Sequence, residues 1–189
     1  MLRSLIAALI LALGGVASAM DINTLMMDLS HTVVMTSIEA GLGFKVGDTA
    51  SYSLKISSFI NGSMVMTVKS VSSTALVIEQ DADLGFAGKQ ACQETINPNT
   101  GALEKMVCNG QNQSTDQGSY SVEQEKADTI TVAAGTFECL YIKAKNSKDN
   151  SEIEQWAAPK KVPVFGMVKA LTPSQMGTVD LELTSFKAN

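Results

Sequence analysis

The chain has 189 residues, 45% of them hydrophobic and 17% charged, with a formal net charge of −5. A chain of this size buries its own core without staples. Its basic residues are scattered, with Lys160-Lys161 the longest run, which argues against nucleic acid and against an anionic membrane surface.

Residues 1–19 have the build of a secretory signal peptide. Arg3 gives the positive start, Leu5 to Leu13 is an apolar run too short to span a bilayer, and Ala17-Ser18-Ala19 follows the Gly14-Gly15 break as a small-residue cleavage site. Cleavage before Met20 leaves a single β-rich domain over 20–189, with the net charge moved from −5 to −6 by loss of Arg3. No later apolar stretch is long enough for a membrane helix. The expected location is therefore exported, periplasmic or extracellular, and not membrane-spanning.

Asp21 stands as a cap before Ile22, Leu25, Met26, Leu29 and Val33, whose spacing predicts a helix over 22–32. From Gly47 the period drops to two. Ala50, Tyr52, Leu54 and Ile56 alternate with Ser51, Ser53, Lys55 and Ser57, the pattern of a half-buried antiparallel strand. Asn61-Gly62 predicts a hairpin turn, returning through Ser63 to Val71 with Met64, Met66 and Val68 on one face. A strand over Thr74–Glu79 and a loop over Asp81–Gly85 follow.

Cys92 and Cys108 flank Asn97-Pro98-Asn99-Thr100-Gly101, a strong turn signal. A hairpin folded about Thr100 sets the two cysteines opposite each other, and an exported chain favours a disulfide between them. Cys139, mid-strand in an apolar setting, reads as a buried small hydrophobe. Asn109 to Gly118 has no hydrophobic side chain and reads as a surface loop. Strands are predicted over Tyr120–Glu125, Thr129–Val132, Thr136–Lys145, Glu152–Ala157 and Val162–Ala170, with a last one about Val179, Leu181 and Leu183. Nine or ten strands with hairpin-length connections exclude a parallel sheet, which needs long crossovers.

Trp156, the single tryptophan, alternates in phase with Glu152 and Glu154. Strict alternation would expose it, so the expectation is a twist or bulge before Pro159 that buries the ring. The alternative is a ring at a cavity mouth or contact surface.

Catalytic constellations are wanting. The single histidine, His31, sits on the helix flank and leaves most triads and zinc sites without their usual member. Glu152 with Glu154, and Asp180 with Glu182, fit the solvent face of an amphipathic strand. The expectation is no enzyme, no metal and no cofactor. Ten methionines, spread over several elements, suit irregular core space or a deformable cavity better than a copper site.

The run Val132-Ala133-Ala134-Gly135-Thr136-Phe137-Glu138-Cys139, then Trp156, then Val162 to Lys169 (VPVFGMVK) and Glu182 to Phe186 (ELTSF) resembles a pattern in uncharacterised exported bacterial proteins that look like relatives of the periplasmic lipoprotein-carrier superfamily. The resemblance implies a curved antiparallel half-barrel over a helical plug, and in that superfamily such a sheet holds acyl chains. Edge protection favours the same curvature, while a closed barrel or a β-sandwich remains open on periodicity alone. The resulting expectation is a carrier-like binding protein for a lipid or other apolar small molecule, with Met64, Met66, Phe137, Tyr141 and Phe165 as lining residues. An envelope structural or interaction protein with a filled sheet is the alternative.

Overall fold

The computed structural model describes residues 43–57, 60–115, 119–174 and 177–189. The expected signal peptide, the helix over 22–32 and His31 lie outside them. The described residues form one antiparallel sheet of eleven strands: β1 (Thr49–Ile56), β2 (Ile60–Val71), β3 (Leu76–Asp83), β4 (Lys89–Ile96), β5 (Leu103–Cys108), β6 (Gln111–Asn112), β7 (Tyr120–Val132), β8 (Gly135–Asn146), β9 (Glu152–Ala157), β10 (Met167–Ser174) and β11 (Gly177–Lys187). The order across the sheet is β6-β5-β4-β3-β2-β1-β11-β10-β9-β8-β7. Two meanders, β1–β6 and β7–β11, are therefore joined by the pairing of the first strand with the last.

This topology forces curvature. β6 and β7 are consecutive in the chain yet occupy opposite edges. Ten interstrand spacings would set those edges about 48 Å apart in a flat sheet. The connection from Gln113 to Ser119 reaches at most about 29 Å when fully extended. Only a curled sheet satisfies both lengths. The curl is visible where Ala134, in the β7–β8 turn, donates its N–H to the Leu183 carbonyl of β11 at 3.2 Å. The architecture is the open, curved half-barrel expected.

Directly opposed residues share a face, so the register draws apolar rows across the sheet. Met106, Glu94, Ile78 and Val68 form one row, and Cys108, Cys92, Gln80, Met66 and Ala50 the next. Ala82, Met64, Tyr52 and Leu183 continue the face into β11. Each fully buried Leu, Ile or Met here contributes about 1.5–3 kcal/mol. Tyr52 is completely buried and its hydroxyl donates to the Met167 carbonyl at 3.2 Å, with burial raising its pKa far above the usual phenol value. β8 is buried on both sides in turn: Phe137, Cys139 and Tyr141 on one face, then Ile142, Ala144 and Asn146 on the other.

Several local expectations are corrected. The first hairpin turns at Ser57, whose φ is +51°, and Ile56 pairs with Ile60, so Asn61-Gly62 lies inside β2. Gly62 serves close packing instead: a Cβ there would meet the Asp83 carbonyl oxygen at 2.4 Å. β3 runs on through Asp81 to Asp83 because Gln80 and Ala82 keep the buried alternation; the break comes at a 3-10 turn over Gly85–Ala87. The pieces 120–125 and 129–132 are one strand with a bulge between Val122 and Gln124. As an edge strand exposed along most of its length, β7 carries polar residues that burial does not police. Residues Val162–Gly166 are loop, not strand, and Gln111–Asn112 pairs briefly within the polar run. The described residues thus hold eleven strands, above the nine or ten expected.

Candidate functional site

The Asn97–Gly101 turn closes the β4–β5 hairpin through Asn97 N–H to Ala102 O at 2.9 Å and Asn99 N–H to Asn97 Oδ1 at 3.0 Å. That register sets Cys92 directly opposite Cys108, and the two form the expected disulfide. It ties the outer part of the apolar face, beside the one buried polar pair in these rows: Gln80 Nε2 donates to Glu94 Oε1 at 2.7 Å, with both side chains fully buried. A buried carboxylate is tolerated only when hydrogen-bonded, and neighbouring Met66, Ile78 and Met106 supply an otherwise apolar wall.

Met64, Met66, Phe137 and Phe165 belong to one contiguous apolar cluster. Met64 and Met66 enter it from β2. Phe137 enters from β8 and packs on Phe186 with ring centroids 6.2 Å apart. Phe165 enters from the β9–β10 loop and meets Phe44 edge-on at 6.0 Å.

Tyr141 is elsewhere. It shares the β8 face of Phe137 and Cys139 but lies outside their cluster, on the cross-strand row Tyr141, Trp156, Lys169, Glu182, Ser53 and Ser63. There Tyr141 packs on Trp156 at 5.0 Å and carries the Lys126 ammonium 4.8 Å above its ring. Burial first, then the Glu154 carboxylate, raises its pKa.

Trp156 keeps strict alternation with Glu152 and Glu154, and no bulge turns it inward. It is half-buried by its neighbours, and its indole N–H donates to Asp128 Oδ2 at 2.9 Å. That bond, then the Thr129 amide, holds the Asp128 carboxyl below the usual range. In the same row burial opposes the Lys169 charge, but Glu182 at 2.5 Å and Asp180 at 3.3 Å outweigh it and raise the Lys169 pKa. This outer face is a structural network of paired charges. Cys139 is buried; burial first, then Asp128 directly across from it, pushes its thiol up to about 11.

Sequence reading missed the β9–β10 loop as a feature. Val164, Phe165 and Gly166 take φ of +55°, +71° and +74° in succession. Left-handed backbone at two non-glycine residues, one of them β-branched, costs about 1–3 kcal/mol each and persists only where packing over-determines it. Here burial of Val162, Val164 and Phe165 in the apolar cluster and the 2.7 Å bond from Ala158 N–H to Gly166 O impose it. The signal available in the sequence was Pro163 ahead of a Val-Phe-Gly run, which cannot donate to a ladder.

No protein-family model and no curated protein matches this chain. Among solved structures it is similar to hypothetical protein CT021 from Chlamydia trachomatis, with a TM-score of 0.55 at 12% identity over 80% of this chain and 92% of that one. It is also similar to a protein from Bacteroides fragilis described as having a YmcC-like fold, with a TM-score of 0.43 at 10% identity over 78% and 98% of the two chains. MucB is similar with a TM-score of 0.43 at 10% identity, over 92% of this chain and 59% of that one. At these identities the likeness to CT021 speaks for a shared fold alone, that of a curved antiparallel sheet.

Proposed function

We propose that this protein is an exported, periplasmic carrier-like binding protein for an apolar, acyl-containing ligand. The observation that carries the reading is the continuous apolar face of an open, curved sheet, with the thioethers of Met64, Met66 and Met106 around the Gln80–Glu94 pair. Thioether side chains adapt to ligands of varied shape, and an open curved sheet offers a concave apolar site of the kind ligands use. Export rests on the build of residues 1–19, and the Cys92–Cys108 disulfide suits an oxidising compartment. The reading is of binding without catalysis.

A second reading, a sheet filled by its own side chains in a structural or interaction role, is favoured by the complete burial of Met64, Met66 and Phe165. Native mass spectrometry of protein purified from the envelope without detergent separates the two. Carriage predicts an acyl-bearing species that leaves on organic extraction and rebinds on adding fatty acid. A clean apo mass, with no uptake of added fatty acid, removes the carrier reading and leaves the filled sheet.

A further inference from the structure

The fold brings Lys45 together with the Lys160-Lys161 pair, far from it in the chain. A cleft of about 350 Å³ opens between the segment before β1, the β9–β10 loop and the end of β11, lined by Lys45, Lys160 and Lys161 together with Pro159, Val162 and Asp48. We infer that this cleft is an anion site for a phosphate-bearing ligand; in its lipid form, as the headgroup site of the acyl ligand, it rests on the carrier reading above.

Charge and wiring point the same way. Among the described residues none of the three ammonium groups is in an ion pair, although the chain as a whole is acidic. The acidic side chain at the cleft is that of Asp48. Asp48 is buried and committed: one oxygen accepts the Lys45 amide at 2.9 Å and the other the Asn189 amide at 2.8 Å. Its work is to clamp both flanking segments together, leaving the lysine side chains to face a ligand. Lysine is a compact point charge with three donors, suited to a tetrahedral oxyanion.

The strained loop is the second, independent observation. Three successive left-handed residues hold Val162, Val164 and Phe165 in the apolar cluster while Lys160 and Lys161 line the cleft on the other side of the same loop. Strain of this kind gathers at sites where a backbone must hold groups in place. Val162 belongs to both the cleft wall and the apolar cluster, so an acidic headgroup here would sit at the margin of the apolar face. The volume exceeds what a bare phosphate fills and falls within the range of small-ligand sites.

The test uses the parent protein and a Lys45→Gln/Lys160→Gln/Lys161→Gln variant, with amide chemical-shift titration by inorganic phosphate, by monomeric dihexanoyl phosphatidylglycerol and by dioctanoylglycerol, an uncharged acyl probe. Expected is saturable, salt-sensitive binding of phosphatidylglycerol with shifts centred on the amides of Lys160, Lys161 and Val162, weakened about tenfold or more in the triple variant. Binding of inorganic phosphate as tight as that of phosphatidylglycerol supports the anion site and identifies its ligand as the free ion. Shifts by neither anion, or equal affinity in parent and variant, overturn the proposal. The uncharged probe reports on the carrier reading separately: it binds parent and variant alike if the apolar face is a site, whatever becomes of the cleft.

Discussion

Trp156 of β9 donates its indole N–H to Asp128 of β7 at 2.9 Å, reaching over the intervening strand β8, where its ring packs on Tyr141. One residue thereby joins three strands at the exposed end of the sheet.

Because Trp156 is the single tryptophan, its fluorescence reports on this bond directly. The Asp128 pKa is depressed in the folded protein, first by Trp156 and then by the Thr129 amide. A depressed carboxylate contributes stability that is present above the unfolded value of about 3.9 and lost as pH falls through the lower folded value. The indole emission should therefore titrate with a midpoint below about 3.9, and the step should vanish in Asp128→Asn. A midpoint at or above the ordinary aspartate value means that the bond does not hold in solution.

The disulfide joins directly opposed residues with a sequence separation of 16. Loop-entropy reasoning puts the loss on replacing Cys92 and Cys108 by alanine at about 3 kcal/mol, read as a lower urea midpoint at unchanged slope. Alkylation without reductant should modify one thiol per unfolded chain, Cys139, and almost none in the native protein at pH 8, since burial holds that thiol up to about 11. Rapid native modification of Cys92 or Cys108 contradicts the pairing.

Met66 is fully buried between Ala50 and Gln80. Met66→Ala should cost about 2–5 kcal/mol through lost burial and the cavity left behind. Met66→Trp distinguishes a filled face from a cavity. In a filled face the larger ring costs about 1–3 kcal/mol, whereas in a cavity it is tolerated and fatty-acid uptake falls. Thermal melts of the two variants beside a lipid-binding assay read both outcomes.

Gly166 has φ of +74°, and a Cβ there would lie 2.5 Å from the Pro159 Cα. Backbone strain and collision act together, so Gly166→Ala should destabilise by more than about 1 kcal/mol. The displaced loop should also weaken anion binding at the lysine cleft. An unchanged melting temperature shows that the left-handed run is not maintained.

The sequence alone determined most of the strands. Period-two alternation in Ala50–Ile56, Met64–Val68 and Phe137–Tyr141 is a one-dimensional record of which side faces the core, and β9 was legible to its ends. The Cys92–Cys108 pairing was equally local, because a turn signal midway between two cysteines fixes their register.

What only the tertiary structure decided involves residues far apart in the chain. The β1–β11 ladder closes the two meanders, and no local pattern marks it, since any two half-buried strands are compatible partners. Tyr141 lands beside Trp156 and Lys126, outside the cluster that holds Phe137 of the same β8 face, because the long-range pairing of β8 with β7 and β9 sets its neighbours. The left-handed run at Val164–Gly166 obeys the burial of its side chains over its own backbone preference. Lys45, separated in sequence from Lys160 and Lys161, lines the same cleft as they do, where Asp48 ties the Lys45 segment to Asn189. Alternation encodes a side chain's face, but only long-range pairing sets which faces meet.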